Sequence, residues 1–286
     1  MDLGAMMAPL DFATFVSPLK PVVSDDLAPG ATQRMWSPTT STLIYGERDA
    51  VLVDPLLTAD EARNLVDWVV AADRTVTTVF VTHGHGDHFF GAAVVLDRFP
   101  EAKFVATAGV VERMRQQLSP EVLDGFWRPR FPGRLPERLL VAEPLESHSL
   151  ELEGHDLVAV ELGHSDTDDT TALHVPAIGL VVAGDAVYND VHLYLVESGN
   201  GGRRAWLTAL ETIESLRPRT VIAGHKRAGT DDGPHTIEET RRYIIDFDAA
   251  ADKAGTAVEL YEMMLAQHPD RVNSGVLWNS ARAVKG

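Results

Sequence analysis

The sequence predicts an α/β fold in which helices pack outside two sheets, and three observations carry that expectation. Between residues 41 and 107, short apolar runs alternate with segments of helical periodicity. A second stretch, from about 147 to 225, contains strand-like runs followed by a helical segment and one more strand-like run. The chain has 286 residues and is 45% hydrophobic and 23% charged, enough apolar material for one large core-forming domain spanning residues 1–286.

Taken in order, the first forty residues are interrupted by Pro18, Pro21, Pro29 and Pro38 and are expected to cover one edge of the domain. "STLIYGERDAVLVDP" (41–55) reads as two strands around the turn Gly46–Asp49. In "TADEARNLVDWVVAAD", Thr58 and Glu61 form a capping box, and Ala62, Leu65, Val66 and Val69 follow helical spacing. "VTTVFVTH" (76–83) is a buried strand, "AAVVLDRF" a helix ended by Pro100, and "KFVAT" (103–107) a strand. Residues 119–139 differ, with four prolines and Phe126, Trp127 and Phe131 close together. They form either an irregular insertion packing its own aromatics or a flap over a pocket, with Phe126 and Trp127 as substrate contacts.

"HSLELEG", "HDLVAVELG", "TTALHVP" and "GLVVAGD" read as strands, 202–216 as a helix and "TVIAGH" as a strand. The segment 235–286 reads as a helical extension. There, Ile237, Thr240, Ile244 and Phe247 share one face, as do Val258, Tyr261 and Leu265.

Composition narrows the function. A net charge of −17 disfavours nucleic acid as a partner. No run reaches the roughly 18 apolar residues of a membrane span. The absence of cysteine removes disulfides, thiolate ligands and cysteine nucleophiles. With no basic segment ahead of an apolar core at the N-terminus, a cytoplasmic location is expected.

The chemistry concentrates in "VTHGHGDHFFG" (81–91). His83 and His85 are two apart, so in an extended segment both imidazoles point the same way and can meet one ion. Gly84 and Gly86 let the chain turn, and Asp87 and His88 fall where the next helix starts. Three further candidates each end an apolar run beside a glycine: His164 in "LVAVELGH", Asp185 in "LVVAGD" and His225 in "TVIAGH".

Asp54 in "VLVDP", the His-x-His-x-Asp-His string, His164, Asp185 and His225 together resemble the metallo-β-lactamase superfamily of metallohydrolases, over about residues 40 to 230. The resemblance implies a four-layer αβ/βα sandwich with a site along one edge of two mixed sheets. It implies two Zn2+ ions per chain: one on His83, His85 and His164, the other on Asp87, His88 and His225, with Asp185 bridging and Asp54 orienting the ligands. Two divalent ions bring four positive charges, and Asp87, Asp185 and a hydroxide return three. Such a centre polarises carbonyls and acidifies water. The expected activity is hydrolysis of a small, partly apolar lactone or related cyclic ester, amide or carbamate, with Asp87 in the catalytic centre. Lactonase relatives carry a tyrosine that matches Tyr188, whose hydroxyl would stabilise the oxyanion. His192, Tyr194 and Glu197 are candidate pocket residues.

One departure stands out. Relatives continue the third motif as Gly-His-Thr-x-Gly-His, whereas this chain has "GHSDTDDTTALH". Its acidic run Asp166, Asp168, Asp169 reads most simply as a solvated turn. The alternatives are a glyoxalase II-like thioesterase, an iron-dependent oxidoreductase and a non-catalytic module on the same fold. Oligomeric state is left open by the sequence; a homodimer is common in the family it resembles, and the aromatics near 126–131 would be its contact.

Overall fold

The computed structural model describes residues 8–286. One sheet has six strands, in the spatial order Asp11–Val16, Thr40–Tyr45, Asp49–Val53, Thr75–Phe80, Lys103–Ala106, Glu143–Pro144. The other has five, in the order Thr220–Lys226, Leu180–Asn189, Thr170–Val175, His155–Gly163, Ser149–Leu152. The N-terminal segment supplies the edge strand Asp11–Val16, antiparallel to Thr40–Tyr45, and a separate hairpin of Lys20–Val22 with Arg34–Trp36.

The layering follows from where the apolar side chains go. Ile44, Val53 and Phe80 of the first sheet meet Leu157, Leu173, Val182 and Ile222 of the second in a core between the sheets. The outer face of the first sheet packs on the helices Ala59–Ala71, Ala92–Arg98 and Ala108–Gln117 through Leu65, Val95 and Met114 among others. The outer face of the second packs on Gly202–Ser215 and the three C-terminal helices through Trp206, Phe247, Leu260 and Leu277. The result is the helix–sheet–sheet–helix sandwich expected from the sequence.

Local chemistry explains the boundaries. Thr58 and Glu61 make the reciprocal capping box at the start of Ala59–Ala71. Glu61 also forms a buried ion pair with Lys20 (2.8 Å), which ties the N-terminal hairpin to this helix. Burial of both charges is supportable because each has a partner. In the C-terminal helices the face Ile237, Thr240, Ile244, Phe247 is buried as its spacing predicts. The next helix differs. Val258 is exposed, and the buried face of Ala257–Gln267 is Ala257, Leu260, Tyr261 and Met264. Both stripes fit helical spacing, and packing against the helices on either side, Tyr261 against Trp278 among others, selects between them. Among the described residues, no helix is long and apolar enough to cross a membrane.

Within 119–139, residues 131–139 are irregular as expected, while residues 120–130 are more regular than their prolines suggest. The latter form the short helical turns Pro120–Val122, Leu123–Trp127 and Arg128–Arg130. Trp127 and Phe131 are buried and pack against Trp36 of the N-terminal hairpin, at ring separations of 5.3 and 5.4 Å. Of the aromatics expected at a subunit contact, Trp127 and Phe131 are therefore turned inward, and Phe126 is half-buried. Their rings gain more from burying area against one another and Trp36 than from solvent exposure.

Candidate metal centre

The site lies at one edge of the two sheets. The strand Thr75–Phe80 delivers the 83–88 string, while Asp185 and His225 sit on neighbouring parallel strands. Glycine permits that neighbourhood. A Cβ on Gly224 would stand 2.0 Å from Asp185 Oδ1, and one on Gly184, whose φ is +54°, would stand 2.5 Å from Thr82 Oγ1.

Three overlapping groups of side chains converge: His83, His85 and Asp166; His83, His88 and Asp185; and Asp87, His88 and His225. In each group the ligand atoms lie within 4.8 Å of one another. Asp185 lies centrally, with Oδ1 3.3 Å from His88 Nε2 and Oδ2 3.0 Å from His225 Nε2 and 3.9 Å from His83 Nε2. Among the described residues, His83 Nε2, His88 Nε2, Asp166 Oδ2 and Asp185 Oδ1 are buried without a hydrogen-bond partner. Buried polar atoms in that state cost free energy unless something else satisfies them. Four such atoms aimed at one another, all nitrogen or carboxylate oxygen, fit a pair of divalent cations.

The outer ring nitrogens are anchored so that the inner ones face the centre. His83 Nδ1 pairs with Thr82 Oγ1 (3.1 Å), which itself donates to Asp54 Oδ2 (2.7 Å). His88 Nδ1 donates to Asp54 Oδ2 (2.9 Å), and His225 Nδ1 donates to the Pro38 carbonyl (2.7 Å). His85 is reversed, with Nε2 donating to Glu197 Oε1 (3.1 Å) and Nδ1 facing inward. Since carbonyl and carboxylate oxygens only accept, these bonds fix the tautomers of His85, His88 and His225. Asp54 holds both Thr82 and His88 from a left-handed backbone (φ 57°), strain of a kind that persists at functional sites.

Electrostatics follow from this crowding. Burial alone would raise the Asp185 carboxyl, but the His225 and His88 imidazoles overcome it and hold it well below the usual carboxylate range. Burial, reinforced by the Asp185 and Asp166 carboxylates, pushes the Tyr188 phenol well above its ordinary value. Tyr188 therefore stays protonated, and it donates to Asp185 Oδ2 at 2.9 Å.

His83, His85, Asp87, His88, Asp185 and His225 are thus brought together, and His164 is not. Its Nδ1 is 2.6 Å from Asp168 Oδ1, its Nε2 3.3 Å from Ser198 Oγ, and its ring packs on Gly202. Asp166 takes the place expected for His164, with Oδ2 2.8 Å from His85 Nδ1 and 3.7 Å from His83 Nε2. The cause is local. A β-bulge between Glu161 and Gly163, with Gly163 at φ +76°, turns the chain just before His164, so that Asp166 is the residue facing inward. Asp166 is fully buried and not part of a solvated turn, whereas Asp168 and Asp169 are exposed and held by Arg113.

The centre opens into a cavity of about 780 Å³, lined among others by Trp36, Phe126, Trp127, Tyr188, Tyr194 and Glu197. Phe126 and Trp127 stand at its wall as the flap reading expects. His192 does not. It is fully buried, and its Nδ1 pairs with the Tyr243 hydroxyl (2.9 Å) beneath the C-terminal helices. Besides Asp166, the sequence reading misses Trp36, whose Nε1 donates to Asp87 Oδ2 (2.9 Å), and the anchoring role of Glu197. A lone tryptophan 51 residues before its partner leaves no spacing signal.

Comparisons with known proteins agree with this fold. A UPF0173 metal-dependent hydrolase of Staphylococcus carnosus is 30% identical over 149 residues, 48% of this chain and 60% of that protein. A hydroxyacylglutathione hydrolase of Synechococcus sp. is 33% identical over 102 residues, 36% of this chain and 37% of that protein. The chain thus spans less than two thirds of either relative. Among solved structures, a metallo-β-lactamase family protein of Thermus thermophilus superposes with a TM-score of 0.64 at 20% identity, covering 95% of this chain and 91% of that one. A β-lactamase domain protein of Burkholderia ambifaria gives 0.62 at 17% identity, covering 96% and 84%. The sequence model of the metallo-β-lactamase superfamily matches residues 34–225, from the strand that carries Trp36 to His225 itself, and the chain belongs to that superfamily.

Proposed function

We propose that this protein is a dinuclear metal-dependent hydrolase, with two Zn2+ ions per chain, that opens a small, partly apolar lactone or a related cyclic ester, amide or carbamate. The observation that carries the proposal is the set of unpartnered imidazole nitrogens and carboxylate oxygens converging at the floor of an aromatic-walled cavity. His83, His85 and Asp166 would hold one ion, Asp87, His88 and His225 the other, and Asp185 would lie between them. When bound, such ions supply Lewis acidity toward a carbonyl and water acidified to near neutrality.

The chain's own residues do the rest. Trp36, Phe126 and Trp127 give the substrate an apolar wall and keep bulk water from the reacting carbonyl. Tyr188 presents a protonated hydroxyl that donates to Asp185 Oδ2; with that carboxylate held by cations, its one hydrogen would turn to the substrate oxygen as negative charge develops there. Asp54, Thr82, Pro38 and Glu197 hold the imidazoles in one orientation, so the ligand set need not reorganise during the reaction. A cytoplasmic setting suits a chain without cysteine.

Thioester hydrolysis is a second reading. The helix Ser274–Lys285 adds Val276, Asn279 and Arg282 to the cavity wall, which gives a longer substrate further contacts, and one relative is a hydroxyacylglutathione hydrolase. Metal analysis of the purified protein, followed by turnover of γ- and δ-lactones, cyclic carbamates and S-lactoylglutathione, separates the two. About two ions per chain and lactone turnover support the first reading. Turnover of the thioester alone supports the second, and no turnover of any member of the panel with both ions bound overturns both.

A further inference from the structure

Resting on the hydrolase reading for its setting, we infer that the cavity recognises a carboxylate on the substrate through Arg34 and Arg130. Three arginines line the cavity, and they are not equivalent. Arg282 is neutralised by Asp26 at 2.7 Å. Arg34 and Arg130 form no ion pair with a carboxylate among the described residues. Arg34 Nη1 donates to Asn279 Oδ1 (3.0 Å) and to the Asp26 carbonyl (3.4 Å). Arg130 Nη1 donates to the Phe126 carbonyl (3.0 Å), and its guanidinium lies 3.9 Å from the centre of the Phe126 ring. Both are half-buried, and each keeps N–H donors unused.

The arrangement is costly without an anion. Burial lowers the Arg34 pKa, Asp26 offsets part of this, and the Arg130 charge lowers it further. Burial lowers the Arg130 pKa as well, with Asp26 again offsetting part of it. Two guanidiniums in a partly desolvated cavity wall thus share one carboxylate that is already paired with Arg282, and a further negative group stabilises them. Their planar forks suit a carboxylate. The location suits a substrate. Arg34 and Trp36 are two apart on the strand Arg34–Trp36, so their side chains leave the same face roughly 7 Å apart. Trp36 touches Asp87 at the metal end, and Arg34 stands one step further out. A molecule with its carboxylate at the arginines therefore reaches the ligand cluster with a scissile bond a few atoms away. The net charge of −17 is no obstacle, because the two cations face the cavity.

Calorimetric titration of the metal-loaded protein with 4-phenylbutyrate and with its neutral amide tests this without turnover. Wild type should bind the acid at least about 10-fold more tightly than the amide, and R34M or R130M should each cut that preference about 5-fold or more, with the double variant showing none. R128M, at an exposed arginine paired with Asp124 outside the cavity, serves as the control and should keep the preference. No preference in wild type, or full preference retained in the double variant because the acid binds the metals instead, overturns the inference. A preference that depends on the arginines in a protein that hydrolyses none of the substrate panel sustains the anion site and sinks the hydrolase reading. Hydrolysis without such a preference does the reverse.

Discussion

Asp166 Oδ2 lies 2.8 Å from His85 Nδ1, whereas His164, two residues earlier, is turned away onto Asp168. A carboxylate in place of an imidazole changes the charge at the centre. Asp87, Asp166 and Asp185 together balance three of the four positive charges of a divalent pair. Less net charge then remains to stabilise an oxyanion, and more of that task falls to Tyr188. A harder ligand set also raises the relative affinity for iron or manganese against zinc. Asp166→Ala should reduce bound metal from about two ions per chain to about one, whereas His164→Ala should keep both. Elemental analysis after gel filtration reads this directly. Two ions in the Asp166 variant, or one in the His164 variant, would return the ligand role to His164.

Trp36 belongs to the centre although it binds nothing itself. Its indole N–H fixes Asp87, and its ring is clamped by Trp127 and Phe131. Trp36→Phe keeps most of that packing and removes the hydrogen bond. We expect roughly 10-fold weaker retention of the ion at Asp87, His88 and His225, read by competition with a chelating dye, with the other ion unaffected. Equal loss of both ions would mean that the substitution acts through the fold.

Tyr188→Phe isolates the hydroxyl in the same way. The ring stays packed near Trp206 and His225, so metal content should hold. The kcat on a lactone should fall about 10-fold or more, with KM changed much less, because a donor to a developing oxyanion acts mainly in the transition state. A rise in KM at constant kcat would make Tyr188 a binding contact and no more.

Much of this centre is legible in the sequence, and the reasons differ by residue. The string 83–88 follows a β-branched strand, and Asp185 and His225 each follow one with a glycine beside them, so strand ends and close approaches announce them. The Thr58–Glu61 capping box is a local pattern as well, whereas Asp54 is marked only by the family resemblance. Asp166 is hidden because a bulge at 161–163 decides which of two polar residues points inward, and spacing is blind to a bulge. Trp36 and Arg34 are hidden because their partners lie across the fold, and so is the bond by which Glu197, legible only as a pocket residue, anchors His85. His192 reads as a pocket residue from its nearness to Tyr188 in sequence, yet the chain leaves the site between them and carries it under the C-terminal helices.

That burial gives His192 a measurable consequence. Desolvation, reinforced by the charges of Arg271 and His268, holds its pKa down to about 3, against 6.5 for a free imidazole. The folded state therefore binds fewer protons at this site than the unfolded chain between those two values. The stabilisation is complete above about pH 6.5 and is lost progressively as the pH falls toward 3. By pH 5 the loss from this residue is about 2 kcal/mol. His192→Asn keeps an acceptor for the Tyr243 hydroxyl but does not titrate. It should be less stable than wild type at about pH 7.5, by about 1 to 3 kcal/mol from lost packing. Lowering the pH to about 5 should narrow that gap by about 2 kcal/mol. Urea unfolding followed by circular dichroism at both pH values gives the double difference, in which titration of the ligand histidines, common to both proteins, cancels. A gap that stays constant would mean that His192 is protonated in the folded protein or already neutral in the unfolded one.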